Sequence, residues 1–232
     1  MPPTFPDERL IAAALRVYRR YQVEIVEGLH LCPWAERARL EGRVREQVLL
    51  LREPDVEAAA DALAGITAAP GIEIGLLIFP RLRLARADFE RFVGRVRDED
   101  VRRAEDGIDA GNARRGVQMA LAAFHPDAEP DLRKAERLVP FLRRSPDPTI
   151  QLVRRAALER VRVGDGAHGT GMVDLSTLDL DALLAASPQA PIHERVAVHN
   201  LATVTTLGAD AVEEILADIR RDRDESYAAL GE

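Results

Sequence analysis

One cysteine, one lysine and one tryptophan are all that this chain of 232 residues holds of those three types, and aromatic residues make up only 4% of it. The lone Cys32 can form no internal disulfide and falls short of a closed structural zinc set. With so few aromatics, the core must be built from Leu, Val, Ile and Ala, and little is left to line a haem pocket. No apolar run approaches the about 20 residues of a membrane span, and the opening Met1–Leu10 has no basic stretch followed by an apolar one. A net charge of -7 and a pI near 5.4 deny the chain the positive field that nucleic acid or an anionic membrane surface requires. The expectation is a cytoplasmic protein with neither nucleic acid nor membrane as partner, its oligomeric state open. Its basic residues are nearly all arginine, Lys134 being the exception, and arginine suits bidentate anion binding.

Residues 7–27 carry Leu10, Ile11, Ala14, Leu15, Val17, Tyr18, Tyr21, Ile25 and Val26, spaced mostly by threes and fours, which predicts one amphipathic helix. A helix of about two turns should run from Pro33 toward Leu40. Val44–Leu51 reads as a strand, Val56–Ile66 as an alanine-rich helix, and Gly71–Phe79 as a central strand stopped by Pro80. A helix over 87–105, a turn over 107–116 and a third strand over Val117–Phe124 complete a pattern of right-handed crossovers onto one sheet. Asp127–Phe141 reads as a weakly helical connector. The proline-rich run Arg143–Thr149 is a rigid turn, with Asp147 or Thr149 placed to cap a helix over Ile150–Val161.

Gly164–Gly171 carries four glycines in eight residues. It lacks the Walker ending and reads as a flexible loop, with His168 exposed on it. Ala190–Tyr227 is helical, and its His193, Glu194 and His199 do not have zincin spacing. The fold expected is α/β: a small three- to four-stranded sheet with helical crossovers, packed by an N-terminal helix and C-terminal helices. Residues 1–163 would form the main domain and 164–171 a loop, with 172–232 a helical extension on the same domain.

Chemistry concentrates in Gly28–Arg37. Gly28 can end the first helix with positive φ and Pro33 can open the next, which sets Cys32 at or beside an N-cap. Unpaired backbone N–H groups and the helix dipole there favour thiolate over thiol. The same residues suit packing better still, with Trp34, Leu29 and Leu31 stapling two helices around an inert thiol. Two other places stand out: His125 after the third strand, and the Arg144-Ser145-Pro146 turn leading to Arg154. Loops at strand carboxyl ends gather beside one another in an open sheet. Sulfur, imidazole and guanidinium groups are therefore expected in one pocket, with His125 accepting the thiol proton and Arg144, Ser145 and Arg154 binding a carboxylate or phosphate.

Leu29-His30-Leu31-Cys32-Pro33-Trp34-Ala35, Phe124-His125-Pro126-Asp127, and Arg144-Ser145-Pro146-Asp147-Pro148 with Leu152 and Arg154 resemble the three motifs of a bacterial family, domain of unknown function 1415. The resemblance covers roughly residues 10–161, with a looser echo at Ile192–Arg195 and Asn200. It implies that Cys32, His125, Arg144 and Arg154 share a site or a framework, and it implies no activity. His30 stands where the family pattern has asparagine and Gln151 where it has histidine, and the glycine-rich loop looks like an insertion.

Three classes of function compete. The first is a small thiol-dependent enzyme acting on an anionic small molecule, with Cys32 and His125 catalytic. The second is a non-enzymatic binding or assembly protein in which the same motifs are structural. The third is metal or haem binding through Cys32 with His30 or His125, although no metal-ligand set is assigned and the cofactor stays unknown.

Overall fold

α1 (Pro6–Tyr21) forms because Leu10, Ala14, Val17, Tyr18 and Tyr21 share one buried face, while Asp7 and Glu8 in its first turn and Arg19 and Arg20 in its last match the helix dipole. It runs into a π-helical turn, Gln22–Glu27, so the expected helix is present with its end widened. α2 (Ala35–Leu40), β1 (Val44–Val48), α3 (Val56–Ala68), β2 (Ile74–Ile78) and α4 (Arg86–Asp109) follow. β3 (Met119–Phe124), β4 (Thr149–Arg154), α5 (Arg155–Gly164), α6 (Ile192–Leu207) and α7 (Ala209–Ala228) complete the order. α3 starts where the carboxylate of Asp55 accepts from the Ala58 N–H at 3.0 Å. The computed structural model describes residues 6–32, 34–109, 118–128, 143–164 and 192–232. Pro33, His168, nearly all of the glycine-rich loop and most of the expected connector lie outside the described residues, as do the side chains of 192–199.

The strands form one sheet in the order β1-β2-β4-β3. β1 and β2 are parallel, and β4 is antiparallel to both neighbours. The α/β expectation is met, with β1, β2 and β3 running the same way. β4 corrects the sequence reading: the helix expected over Ile150–Val161 begins only at Arg155, and its first half lies in the sheet interior. Three of the six residues, Thr149, Ile150 and Val153, are β-branched and pack better on a pleated surface than on a helix. Pro148 also holds the residue before it away from helical geometry. Asp147 and Thr149 therefore cap no helix.

Alternation along the strands divides the core. Leu77, Ile150, Leu152 and Met119 face α3 and α4, where Phe79, Phe89 and Phe92 stack edge to face. Gly75 lets α3 approach, since a Cβ there would lie 2.6 Å from Ile66 Cγ2. Ile74, Leu76, Ile78 and Phe124 face the other way, toward α1, the π turn and α7.

Candidate functional site

The chain leaves the π turn through Gly28, whose φ is -61°, so it does not supply the positive φ expected of it. It is needed for another reason: a Cβ would lie 2.8 Å from the Glu24 carbonyl oxygen. The positive φ, 53°, belongs to the exposed His30, a conformation that asparagine adopts more readily than most residues. Trp34, two residues beyond Cys32, is the N-cap of α2. The amides of Trp34 and Ala35 do reach toward the sulfur, as expected of a helix start, yet burial outweighs them and pushes the Cys32 thiol up to about 11. The expectation of a stabilised thiolate is thereby corrected.

Cys32 lines a cleft of about 340 Å3 on the α1 side of the sheet. Its walls are Tyr18, Tyr21 and Gln22 from the first helix, Trp34, and Asn200 from α6, and Leu76, Ala120, Ala122 and Gln151 form its sheet side. Small alanines on β3 leave the room. The lining is mainly apolar, with a few polar residues among it. Gln22 and Asn200 are 6% and 7% exposed, and the Gln22 Oε1, Asn200 Oδ1 and Trp34 Nε1 atoms have no hydrogen-bond partner among the described residues. Arg143 also lines the cleft, its guanidinium carbon 5.5 Å from the Phe124 ring centroid. Among the described residues no carboxylate pairs with it, and burial pulls its pKa below the ordinary arginine value.

His125 directly follows Phe124, and strand alternation sends it to the opposite face of the sheet. There it is 3% exposed, with its ring 5.7 Å from that of Phe89. Its Nε2 lies 3.0 Å from the Leu84 carbonyl oxygen, which makes Nε2 the protonated nitrogen, and its Nδ1 accepts from the Asp127 N–H at 3.2 Å. Burial lowers its pKa, so the ring is neutral and both nitrogens are engaged. It lines a separate polar groove of about 210 Å3 with Arg83, Pro146 and Arg220. The sheet thus separates the imidazole from the sulfur.

The arginines of the expected anion site are also engaged elsewhere. Arg144 makes a two-pronged ion pair with Glu213 of α7, one contact at 2.9 Å, and donates to the Pro126 carbonyl. Ser145 is 1% exposed and donates to the Asp147 carbonyl at 2.6 Å. Arg154 donates to the carbonyls of Ile72 and Thr67 and to the Gln118 side chain, all at 2.8 to 2.9 Å. It ties β4 to the end of α3 and to the loop before β2. The arginine that does line the cleft is Arg143, the immediate neighbour of the expected Arg144. Among the described residues no group of three or more His, Cys, Asp or Glu side chains is placed to hold a metal ion.

No curated protein and no solved structure gives a significant match to this chain. A family model does match, over residues 15–165. This span takes in the Cys32 turn, the His125 strand end, the Arg144 turn and all four strands. The chain belongs to the DUF1415 family, described as a protein of unknown function.

Proposed function

We propose that this protein binds a small anionic molecule in the cleft beside Cys32, with Arg143 as the counter-charge. The observation that carries the reading is a cation held in an apolar cleft without an acidic partner among the described residues, next to buried polar atoms that have no partner either. A buried charge is costly unless paired, and buried polar groups ordinarily find hydrogen bonds. A ligand carrying the missing anion resolves both. Apolar pockets with a few convergent polar groups are the usual form of small-molecule sites.

Binding is favoured over nucleophilic catalysis, because Cys32 keeps its proton and His125 is on the far side of the sheet. A thiol-dependent reaction on the bound anion is the second reading, supported by the sulfur and Arg143 lining the same cleft. A free thiol suits the reducing bacterial cytoplasm, and the net charge of -7 weighs against a nucleic-acid partner.

The test is calorimetric titration with hexanoate and 4-methylpentanoate. Both acids should bind the native protein, and Arg143→Gln should weaken them by about tenfold or more, the scale of one charge-assisted hydrogen bond. Arg143→Gln should also raise the melting temperature of the ligand-free protein, since it removes a half-buried cation that no carboxylate pairs with among the described residues. Equal affinities in native and variant proteins would overturn the reading.

A further inference from the structure

The unpaired atoms around the cleft specify more than a negative charge. The Asn200 Nδ2 donates to the Leu31 carbonyl at 3.4 Å, which orients the amide and leaves Oδ1 as an acceptor without a donor among the described residues. The Gln22 Oε1 is a second such acceptor, and the Trp34 indole N–H is a donor with no acceptor among the described residues. A simple anion would meet Arg143 and leave these three groups unpaired. Inorganic phosphate would also set its oxygens against two amide oxygens and waste the apolar walls.

We propose that the ligand is a small apolar carboxylate with an N–H donor and a carbonyl acceptor next to its acid group, which is the chemistry of an N-acylamino acid with an aliphatic side chain. This inference rests on the cleft reading above and narrows it. The carboxylate pairs with Arg143, the amide N–H satisfies Asn200 or Gln22, and the acyl carbonyl accepts from Trp34. The aliphatic part lies against Leu76, Ala120 and Ala122. The volume of about 340 Å3 is near the lower end of small-molecule sites, about 300–1,000 Å3, and suits a ligand of this size better than a dinucleotide or a haem.

The experiment compares calorimetric titrations of the full chain with N-acetylleucine, its methyl ester, and 4-methylpentanoate, which keeps the acid and loses the amide. N-acetylleucine should bind about tenfold or more tighter than 4-methylpentanoate, since each buried group left unpaired costs roughly that factor. The ester should not bind measurably. Asn200→Leu should shrink the advantage of N-acetylleucine to about twofold, in line with the loss of one buried acceptor, and Gln22→Leu supplies the same test if Asn200→Leu does not fold. Equal binding of the two acids would overturn this inference and leave the cleft reading standing. Binding of neither acid, or binding of ester and acid alike, would overturn both.

Discussion

Cys32 stays protonated far above neutral pH because the apolar cleft disfavours its charge more than the amides of Trp34 and Ala35 favour it. The protonated thiol therefore contributes stability that is fully present below about 9 and is lost as the pH rises toward about 11. Iodoacetamide labelling of the native protein should show a midpoint near 11, and at pH 8 should run about a hundredfold slower than for the unfolded chain. A midpoint at or below 9, the ordinary cysteine value, would mean that the sulfur is not desolvated. Neighbouring Arg143 and Arg144 show how little a residue's type says about its direction. One faces an apolar cleft and the other an acidic side chain on α7, and no spacing in the sequence separates them until the strand before them is placed.

At the scale of elements, the proline-rich turn is a docking surface for α7. Asp147, 1% exposed, accepts from Arg223 at 2.9 Å and from the Tyr227 hydroxyl at 2.6 Å, and the Arg223 guanidinium lies 4.5 Å from the centre of the Tyr227 ring. Burial pushes Asp147 upward, while Arg223 and Tyr227 pull it back toward ionisation. Asp147→Ala would leave the Tyr227 hydroxyl without its acceptor and Arg223 with only its exposed partner Asp224, and should cost about 3 kcal/mol in urea unfolding. Asp147→Asn should cost less, because the amide oxygen still accepts from Tyr227.

Most of the elements were legible because period and punctuation agreed: α1, the alanine-rich α3, the apolar β2 and α4 with its inward phenylalanines all fall where spacing places them. β4 was not, since Leu152, Val153 and Ala156 also satisfy a helical spacing over a short window, and only the β-branched neighbours tell against it. The site was legible in part. Cys32 marks the cleft, but its partners Gln22, Asn200 and Arg143 meet it only through tertiary packing. Asn200 stood out in the sequence only as part of a loose family echo, with nothing in its spacing to tie it to Cys32.

For the whole molecule, α7 is held along α1 by charge. Arg16 and Arg20 both reach Asp222, at 2.6 to 2.9 Å, and Arg20 also reaches Asp218. Hydrogen bonds from Arg16 hold the Asp222 carboxyl well below the usual carboxylate range, and Asp218 and Glu232 are lowered in the same way by Arg20 and Arg81. These carboxylates contribute stability above the ordinary value near 4 and lose it as the pH falls below. The melting temperature should drop between pH 5 and about 2, and Asp222→Asn should flatten that drop. An unchanged pH profile in Asp222→Asn would show that the Asp222 ion pairs contribute nothing to the acid transition.

The late arrival of β4 also sets a schedule for folding. Its neighbours β2 and β3 are complete by Phe124, but the strand that joins them ends only at Arg154. Until the ribosome has released that stretch, the wholly apolar β2 offers a bare row of amides and carbonyls on the side β4 will fill. A nascent chain halted near residue 130 should therefore stick to its own kind or to a holding chaperone. One halted late enough for Arg154 to have cleared the ribosomal exit tunnel should not, and ribosome-bound fragments of the two lengths, compared by sedimentation, would show the difference.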